Sequence, residues 1–159
     1  MISDPVIEPI LTNKAKKLTS FFAIGLVLFV STQSVAFAPI PNPVLMFTGA
    51  EYFSREGKQF IRYKFDVDNK SSFPAEMFAP APDLPPCGTN TKASRTWVDI
   101  YNQNGKRLFG FCALSKPDDL SQIWFALEEN EIPPSWVYIE LTDRKTNTKY
   151  KSNLAETSM

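Results

Sequence analysis

Apolar and charged residues alternate one by one through the segment from Gln59 to Asn69. The alternation runs in the order Ile61, Arg62, Tyr63, Lys64, Phe65, Asp66, Val67 and Asp68. Successive side chains of a β-strand point to opposite faces, so this period of two predicts a strand with one buried and one solvated face. The segment Val44–Ser54 is predicted as a second strand, and the turn Arg55–Lys58 joins the two into a hairpin.

Five more segments have the side-chain pattern and the flanking turn signals of short strands: Thr96–Asn102, Lys106–Leu114, Ile123–Leu127, Trp136–Asp143 and Thr148–Ser152. The first two of these flank Asn104-Gly105, a strong hairpin signal. Ala75–Ala79 is a further candidate for a short edge strand. No helical period of useful length is present, so the sequence predicts an all-β, antiparallel two-layer β-sandwich of about seven strands.

The predicted sandwich domain spans residues 44–153, and residues 154–159 are expected to be a frayed tail. A domain of this size can bury one core, whose expected members are Phe65, Trp97, Phe111 and Trp136. We assign the aromatic residues of the predicted strands to that core. A ligand-binding stripe would require several of them to be exposed on one face.

Residues 1–36 have the layout of an N-terminal extension followed by a secretory signal peptide. Lysines precede an apolar run from Phe21 to Val30, and small residues follow it. We predict cleavage between Ala36 and Phe37, which leaves residues 37–43 as a proline-rich spacer. Alternatively, residues 18–38 remain as an uncleaved anchor, since that length can span a bilayer of about 30 Å. Either way, the domain is exported to the periplasm or the extracellular space.

The two cysteines, Cys87 and Cys112, are predicted to form a disulfide. Export places them in an oxidising compartment. Two thiols at this spacing, in a chain without histidine, match neither a zinc site nor a redox motif. In the chain-entropy model the bond is worth roughly 3–4 kcal/mol. It would tie the proline-rich segment Ser71–Arg95 to the strand region that follows.

The proline-rich segment has two interpretations. It is either a long crossover between sheets, made rigid because of its length, or a presented recognition surface. The second interpretation follows because prolines and a disulfide reduce the conformational entropy lost on binding. The predicted contact residues of this surface are Pro80, Pro82, Asp83, Leu84, Pro85, Pro86, Asn90, Lys92 and Arg95.

Composition excludes several chemistries. The chain has no histidine, which removes Ser-His and Cys-His nucleophile pairs and histidine metal ligands. Basic and acidic residues are balanced at 17 each, so there is no electrostatic case for nucleic-acid binding. Acidic pairs such as Asp118-Asp119 are assigned to solvated loops, and neither a metal nor a cofactor is expected.

The C-terminal strands carry a resemblance to a known architecture. Trp136-Val137-Tyr138, followed by a hairpin, resembles the last strands of an immunoglobulin or fibronectin type III sandwich, with Tyr138 in the place of the tyrosine corner. The immunoglobulin pattern, however, has its two cysteines much farther apart in sequence. The stretch Pro80–Leu114 also resembles small exported bacterial proteins of no assigned function. That resemblance implies no catalytic residues.

Together these patterns favour a monomeric, non-enzymatic binding or envelope-associated protein whose partner is a protein or another envelope component. Contact with a membrane is expected only through the N-terminal segment, if it is not cleaved. One alternative is a carboxylate-dependent hydrolase, which requires two acids facing each other in a cleft. The other is a structural subunit of a surface assembly, which requires an unpaired edge strand.

Overall fold

The computed structural model of the protein describes residues 39–158. In this range the chain is all-β, as predicted, with eight strands: β1 (Leu45–Arg55), β2 (Lys58–Val67), β3 (Thr96–Asn102), β4 (Arg107–Phe111), β5 (Ile123–Glu128), β6 (Trp136–Asp143), β7 (Thr148–Lys151) and β8 (Ala155–Glu156). Short 3₁₀ helices occupy Lys70–Ser72, Ala75–Phe78 and Pro117–Gln122. Between residues 39 and 158, no helix is long and apolar enough to cross a membrane. The predicted signal peptide and its cleavage point between Ala36 and Phe37 lie outside the described residues.

One sheet is built around β2, which pairs antiparallel with β1 on one side and β5 on the other. The strict alternation of β2 is confirmed, because its apolar positions are all buried: Ile61, Tyr63, Phe65 and Val67. A register shift between Phe47 and Gly49 interrupts the β1–β2 ladder. The opposite face of this sheet, which carries the charged residues of β2, points away from the second sheet.

The second sheet has the order β4–β3–β6–β7, and β8 also pairs with β6. The Asn104-Gly105 hairpin is confirmed, with Gly105 at a φ of +80°, a value that favours glycine. Along β6 the residues Val137, Ile139 and Leu141 are fully buried. The two antiparallel sheets therefore give the sandwich-like layering that the alternation predicted.

The core lies between the sheets and contains Phe65 and Phe125 with fully buried aliphatic residues of β3 and β6. Of the four expected core aromatics, Phe65 is confirmed, and Phe111 packs against the core while partly buried. Trp136 is 41% exposed, so its assignment to the core was wrong. Trp97 was also misassigned, because it alternates with the buried Thr96 and Val98 and so faces outward.

The segment proposed as a short edge strand near residue 75 is instead the 3₁₀ helix Ala75–Phe78. Its consecutive residues Met77 and Phe78 are both buried. Neighbouring residues of a strand point to opposite faces, so a strand could not bury both on one side. A tight helical turn, closed by the Met77 amide donating to the Pro74 carbonyl at 3.1 Å, brings both into the core.

The C-terminal residues 154–158 do not form the frayed tail that the sequence suggested. Strand β8 pairs with β6, and both Ala155 and Thr157 are buried. Just before it, the Asn153 side chain accepts a hydrogen bond from the Leu45 amide at 2.8 Å and donates one to the Leu45 carbonyl at 3.0 Å. The end of the described chain is therefore part of the folded sandwich.

Candidate functional site

The first candidate surface is the proline loop, residues 80–95, which leaves the sandwich and returns to it at nearly the same point. Its two ends are joined by backbone hydrogen bonds. The Ala81 amide donates to the Ala93 carbonyl at 3.1 Å, and the Arg95 amide donates to the Ala79 carbonyl at 2.9 Å. The long segment is therefore a loop whose two ends are hydrogen-bonded to each other just before β3.

The predicted disulfide is confirmed, and it holds the tip of this loop. Cys87 is bonded to Cys112, which directly follows β4, with 6.2 Å between the Cα atoms. Cys87 also closes a tight turn, since the Asn90 amide donates to its carbonyl at 2.9 Å. A disulfide of this kind indicates an oxidising environment.

Arg144, in the turn between β6 and β7, holds the loop in place through two contacts. Its guanidinium carbon lies 4.0 Å from the centre of the Trp97 ring, a cation–π contact. The same guanidinium donates a hydrogen bond to the carbonyl oxygen of Pro85. Trp97 is therefore the platform for the arginine that supports the loop, which explains its outward orientation.

The base of the loop is fixed by an ion pair between Arg95 and Asp143. The Arg95 Nε and one terminal nitrogen donate to the two Asp143 carboxylate oxygens at 2.7 and 2.5 Å. The Asp143 side chain is only 3% exposed. Hydrogen bonds from Arg95, opposed by burial, lower the Asp143 pKa to about 2. The guanidinium of Arg95 is used in this bidentate ion pair. Although Arg95 is one of the predicted contact residues, its role is therefore to hold the loop in place.

The other predicted contact residues divide by exposure. Those that point to solvent are Pro80, Pro82, Asp83, Pro85, Pro86 and Lys92. Leu84 and Asn90 are half-buried, and the Asn90 side chain is used inside the loop, accepting from the Lys92 amide at 2.9 Å. The outward surface of the loop is thus a group of proline rings with one carboxylate and one ammonium group.

A second surface, which the sequence analysis did not identify, lies on the outer face of the three-stranded sheet. Five aromatic rings and an arginine meet there. A cavity of about 320 Å³, here called the aromatic groove, is lined mainly by Phe53, Phe60, Arg62, Phe109, Trp124 and Ala126. None of the four aromatic lining residues belongs to the core between the sheets.

Arg62 is at the centre of the groove. Its guanidinium carbon lies 4.7 Å from the ring centre of Phe53 and 4.7 Å from that of Trp124. The Trp124 ring in turn stacks on Phe109 with 5.0 Å between centroids. Aromatic and guanidinium planes therefore form a continuous ladder across the strands.

The last rings of this ladder come from the other sheet. Strand β4 is an edge strand, and its residues Phe109 and Phe111 pair with Ile100 and Val98 of β3. Their rings reach past the edge of β5 to Trp124, with Phe111 at 6.0 Å in an edge-to-face arrangement. The groove thus joins the two sheets along one side of the sandwich.

A polar cavity of about 510 Å³ adjoins the aromatic groove and shares Arg62 and Trp124 with it. Its remaining lining includes Thr48, Lys64, Asp66, Ser121 and Gln122. Hydroxyl, amide and charged groups therefore lie beside the stacked rings. The two cavities together offer one apolar and one hydrogen-bonding side.

The charges of this region are matched within the chain. Glu51 accepts from Arg62 at 2.9 Å and from Lys64 at 3.0 Å, and Asp66 accepts from Lys70 at 2.9 Å. The Lys64 hydrogen bond lowers the pKa of Glu51. Burial opposes a similar shift at Asp66, but hydrogen bonds from Lys70 and Ser121 lower its pKa as well.

These lowered pKa values bear on the hydrolase alternative. A general acid for glycoside hydrolysis needs a carboxyl group whose pKa is raised, so that it holds a proton near neutral pH. Glu51 and Asp66 have the opposite shift. Among residues 39–158, no group of three or more acidic or cysteine side chains is placed to hold a metal ion.

The sequence signal for the groove was hidden in two ways. On β2, Phe60 is the one aromatic residue among outward positions that are otherwise charged, so this face has the pattern of a solvated surface. On β5, Trp124 lies between Ile123 and Phe125, so a run of apolar residues conceals which ring faces out. Phe109 and Trp124 belong to different sheets. The pattern of a single strand does not specify which residues meet between two sheets.

Comparison of the chain with protein-family models, with curated proteins and with solved structures finds no match.

Proposed function

We propose that this protein is an exported, non-enzymatic binding domain that uses the proline loop to contact a protein or another component of the cell envelope. The proposal rests on one observation. The loop is held in place by an ion pair at its base, by the disulfide at its tip and by an arginine that contacts it from the β6–β7 turn. Outward groups held this rigidly lose little conformational entropy when a partner binds. Proline-rich, extended segments are also readily recognised by partner grooves.

Export supports the same proposal. The Cys87–Cys112 bond indicates an oxidising compartment, which the periplasm and the extracellular space both provide. We place the mature N-terminus at Phe37, with retention of residues 18–38 as an anchor as the alternative. The immunoglobulin or fibronectin type III resemblance stays part of this proposal, since sandwiches of that class commonly present binding loops at their ends.

The test compares two matched triple variants in an affinity capture from solubilised envelope. The loop variant carries Pro82→Ala, Asp83→Ala and Lys92→Ala. The control carries Pro133→Ala, Asp118→Ala and Lys106→Ala, which are the same residue types at exposed positions elsewhere. We expect recovery of the partner to fall about tenfold with the loop variant only, because the three lost contacts together contribute on the order of 1.4 kcal/mol. Equal recovery with both variants would exclude the loop as the contact surface.

A structural role in a surface assembly has one observation in its favour. Strand β1 covers 11 residues and pairs with β2 on one side only, while among residues 39–158 no other strand pairs with it. A long edge with free backbone groups can receive a strand from another chain. Replacing Tyr52 with proline would block that addition, so loss of an assembled form on gel filtration would support this second function.

A further inference from the structure

We propose that the aromatic groove and the polar cavity form one binding site for a neutral oligosaccharide chain. This site is on the outer face of the three-stranded sheet, and none of its lining residues is a predicted contact residue of the proline loop. The inference therefore stands independently of the proposed function of the loop.

The aromatic rings of the groove are only partly covered by the protein. Phe53, Phe60 and Trp124 take outward positions of their strands, paired in register with other outward residues. Phe109 remains 37% exposed. A contiguous set of aromatic rings on an outer face is a feature of ligand or partner sites, because water contact with apolar surface is unfavourable. Phe53, Phe60 and Trp124 are not members of the core between the sheets.

The two adjoining cavities pair an apolar side with a hydrogen-bonding side. A pyranose ring has faces covered by C–H groups of slight positive charge, which are attracted to the negative faces of aromatic rings. Its edges carry hydroxyls that both donate and accept hydrogen bonds. Thr48, Ser121 and Gln122 also offer donors and acceptors, and all three are exposed. Both cavities, at about 320 and 510 Å³, fall in the size range of small-molecule sites.

The charged side chains around the site form ion pairs with one another. Arg62 and Lys64 share Glu51, and Asp66 is paired with Lys70, so each of these cations has an internal carboxylate partner before any ligand arrives, with one positive charge left over. An anionic ligand would have to compete with these internal carboxylates for the cations. A neutral polyhydroxylated ligand can keep the ion pairs intact and bind to their remaining lone pairs and N–H groups.

A proline-rich peptide is the main competitor, because it also stacks on aromatic grooves. Its proline residues have no N–H and present mainly carbonyl acceptors. Such a peptide would offer few donors to the side-chain oxygens of Thr48, Ser121 and Gln122 in the polar cavity. Sugar hydroxyls supply those donors, so the two-sided lining favours the saccharide.

The experiment is isothermal titration calorimetry of the disulfide-bonded protein with defined probes. The neutral probes are the hexasaccharides of β-1,4-glucose, β-1,4-N-acetylglucosamine, β-1,3-glucose and α-1,4-glucose. A heparin-derived hexasaccharide and a proline decapeptide test the anionic and peptide occupants. We expect at least one neutral probe to bind with a Kd below about 1 mM, with neither of the other two binding as tightly.

Variants locate the site. Trp124→Ala, Phe53→Ala and Gln122→Ala are each expected to weaken binding by about tenfold, while Trp136→Ala, which removes a partly exposed tryptophan from the other sheet, leaves it unchanged. Gln122 is exposed, so its variant keeps the test valid if loss of an aromatic ring unfolds the chain. The proposal is overturned if no neutral hexasaccharide binds, if heparin or the peptide binds more tightly, or if binding survives Trp124→Ala and Gln122→Ala in folded protein.

Discussion

At the scale of single residues, Asp143 makes more hydrogen bonds than its position at the end of a strand would suggest. Its carboxylate accepts hydrogen bonds from the Arg95 guanidinium, from the Lys145 amide at 3.0 Å and from the Thr146 hydroxyl at 2.9 Å. It thereby joins the end of the proline loop to the turn after β6. A buried carboxylate that loses such donors is strongly destabilising.

We predict that Asp143→Asn lowers the free energy of unfolding by about 2 kcal/mol at pH 7, with the difference from wild type disappearing at low pH. The folded-state pKa of about 2 lies below the ordinary value of 3.8. The stabilisation is therefore complete above pH 4 and is lost as the pH falls through the folded-state pKa. Urea unfolding measured at several pH values would show it.

The control for this prediction is Asp83→Asn, at an exposed position of the same loop. It should leave the unfolding free energy within about 0.5 kcal/mol of wild type. A constant difference between Asp143→Asn and wild type from pH 7 down to pH 2 would contradict the assignment of the stabilisation to the ionised carboxylate.

Residue roles were the hardest level to predict. The sequence marked Arg95 as a contact residue and Trp97 as core, because it shows neither that Asp143 is within reach of Arg95 nor that Arg144 stacks on Trp97. Both contacts join residues more than forty positions apart. They depend on the packing of the β6–β7 turn against the loop, which no local pattern contains.

At the scale of elements, strands with a clear period of two were predicted almost to the residue. Strand β2 and the strand from Trp136 to Asp143 follow their alternation because one face must be buried. Elements without a period were missed. The 3₁₀ helix Ala75–Phe78 and strand β8 are both too short to show one, and their structure is set by tertiary contacts.

Strand β8 gives the prediction at this scale. Ending the chain after Asn153 removes the buried Ala155 and Thr157 and the β8–β6 pairing. It also removes the hydrogen bond that the Thr157 amide donates to the Ser135 carbonyl at 3.0 Å. We expect the free energy of unfolding to fall by roughly 2–4 kcal/mol, from lost apolar burial and lost backbone hydrogen bonds. Urea denaturation measures this loss.

Removal of only Ser158 and Met159 is the matched control. Ser158 is exposed, so this shorter truncation should change the unfolding free energy by no more than about 0.5 kcal/mol. If the two truncations had the same stability, β8 would contribute nothing and the original expectation of a frayed tail would hold.

At the scale of the whole molecule, the sequence predicted the layering of the sandwich but not its binding surfaces. Two sheets follow from many short alternating strands, since each must cover an apolar face. The aromatic groove depends on which edge of one sheet meets which edge of the other, here β4 beside β5. The disulfide was predictable because only two cysteines exist, and it fixes the loop beside the end of β4.

The central claim of this account is an exported sandwich whose loop is held by an intramolecular disulfide. The most direct measurement is the intact mass of the exported protein after free thiols have been blocked with an alkylating reagent. We predict a chain that starts at Phe37 and carries no adduct. A full-length chain with an adduct on both Cys87 and Cys112 would contradict it, because the protein would then be uncleaved and its loop unclamped.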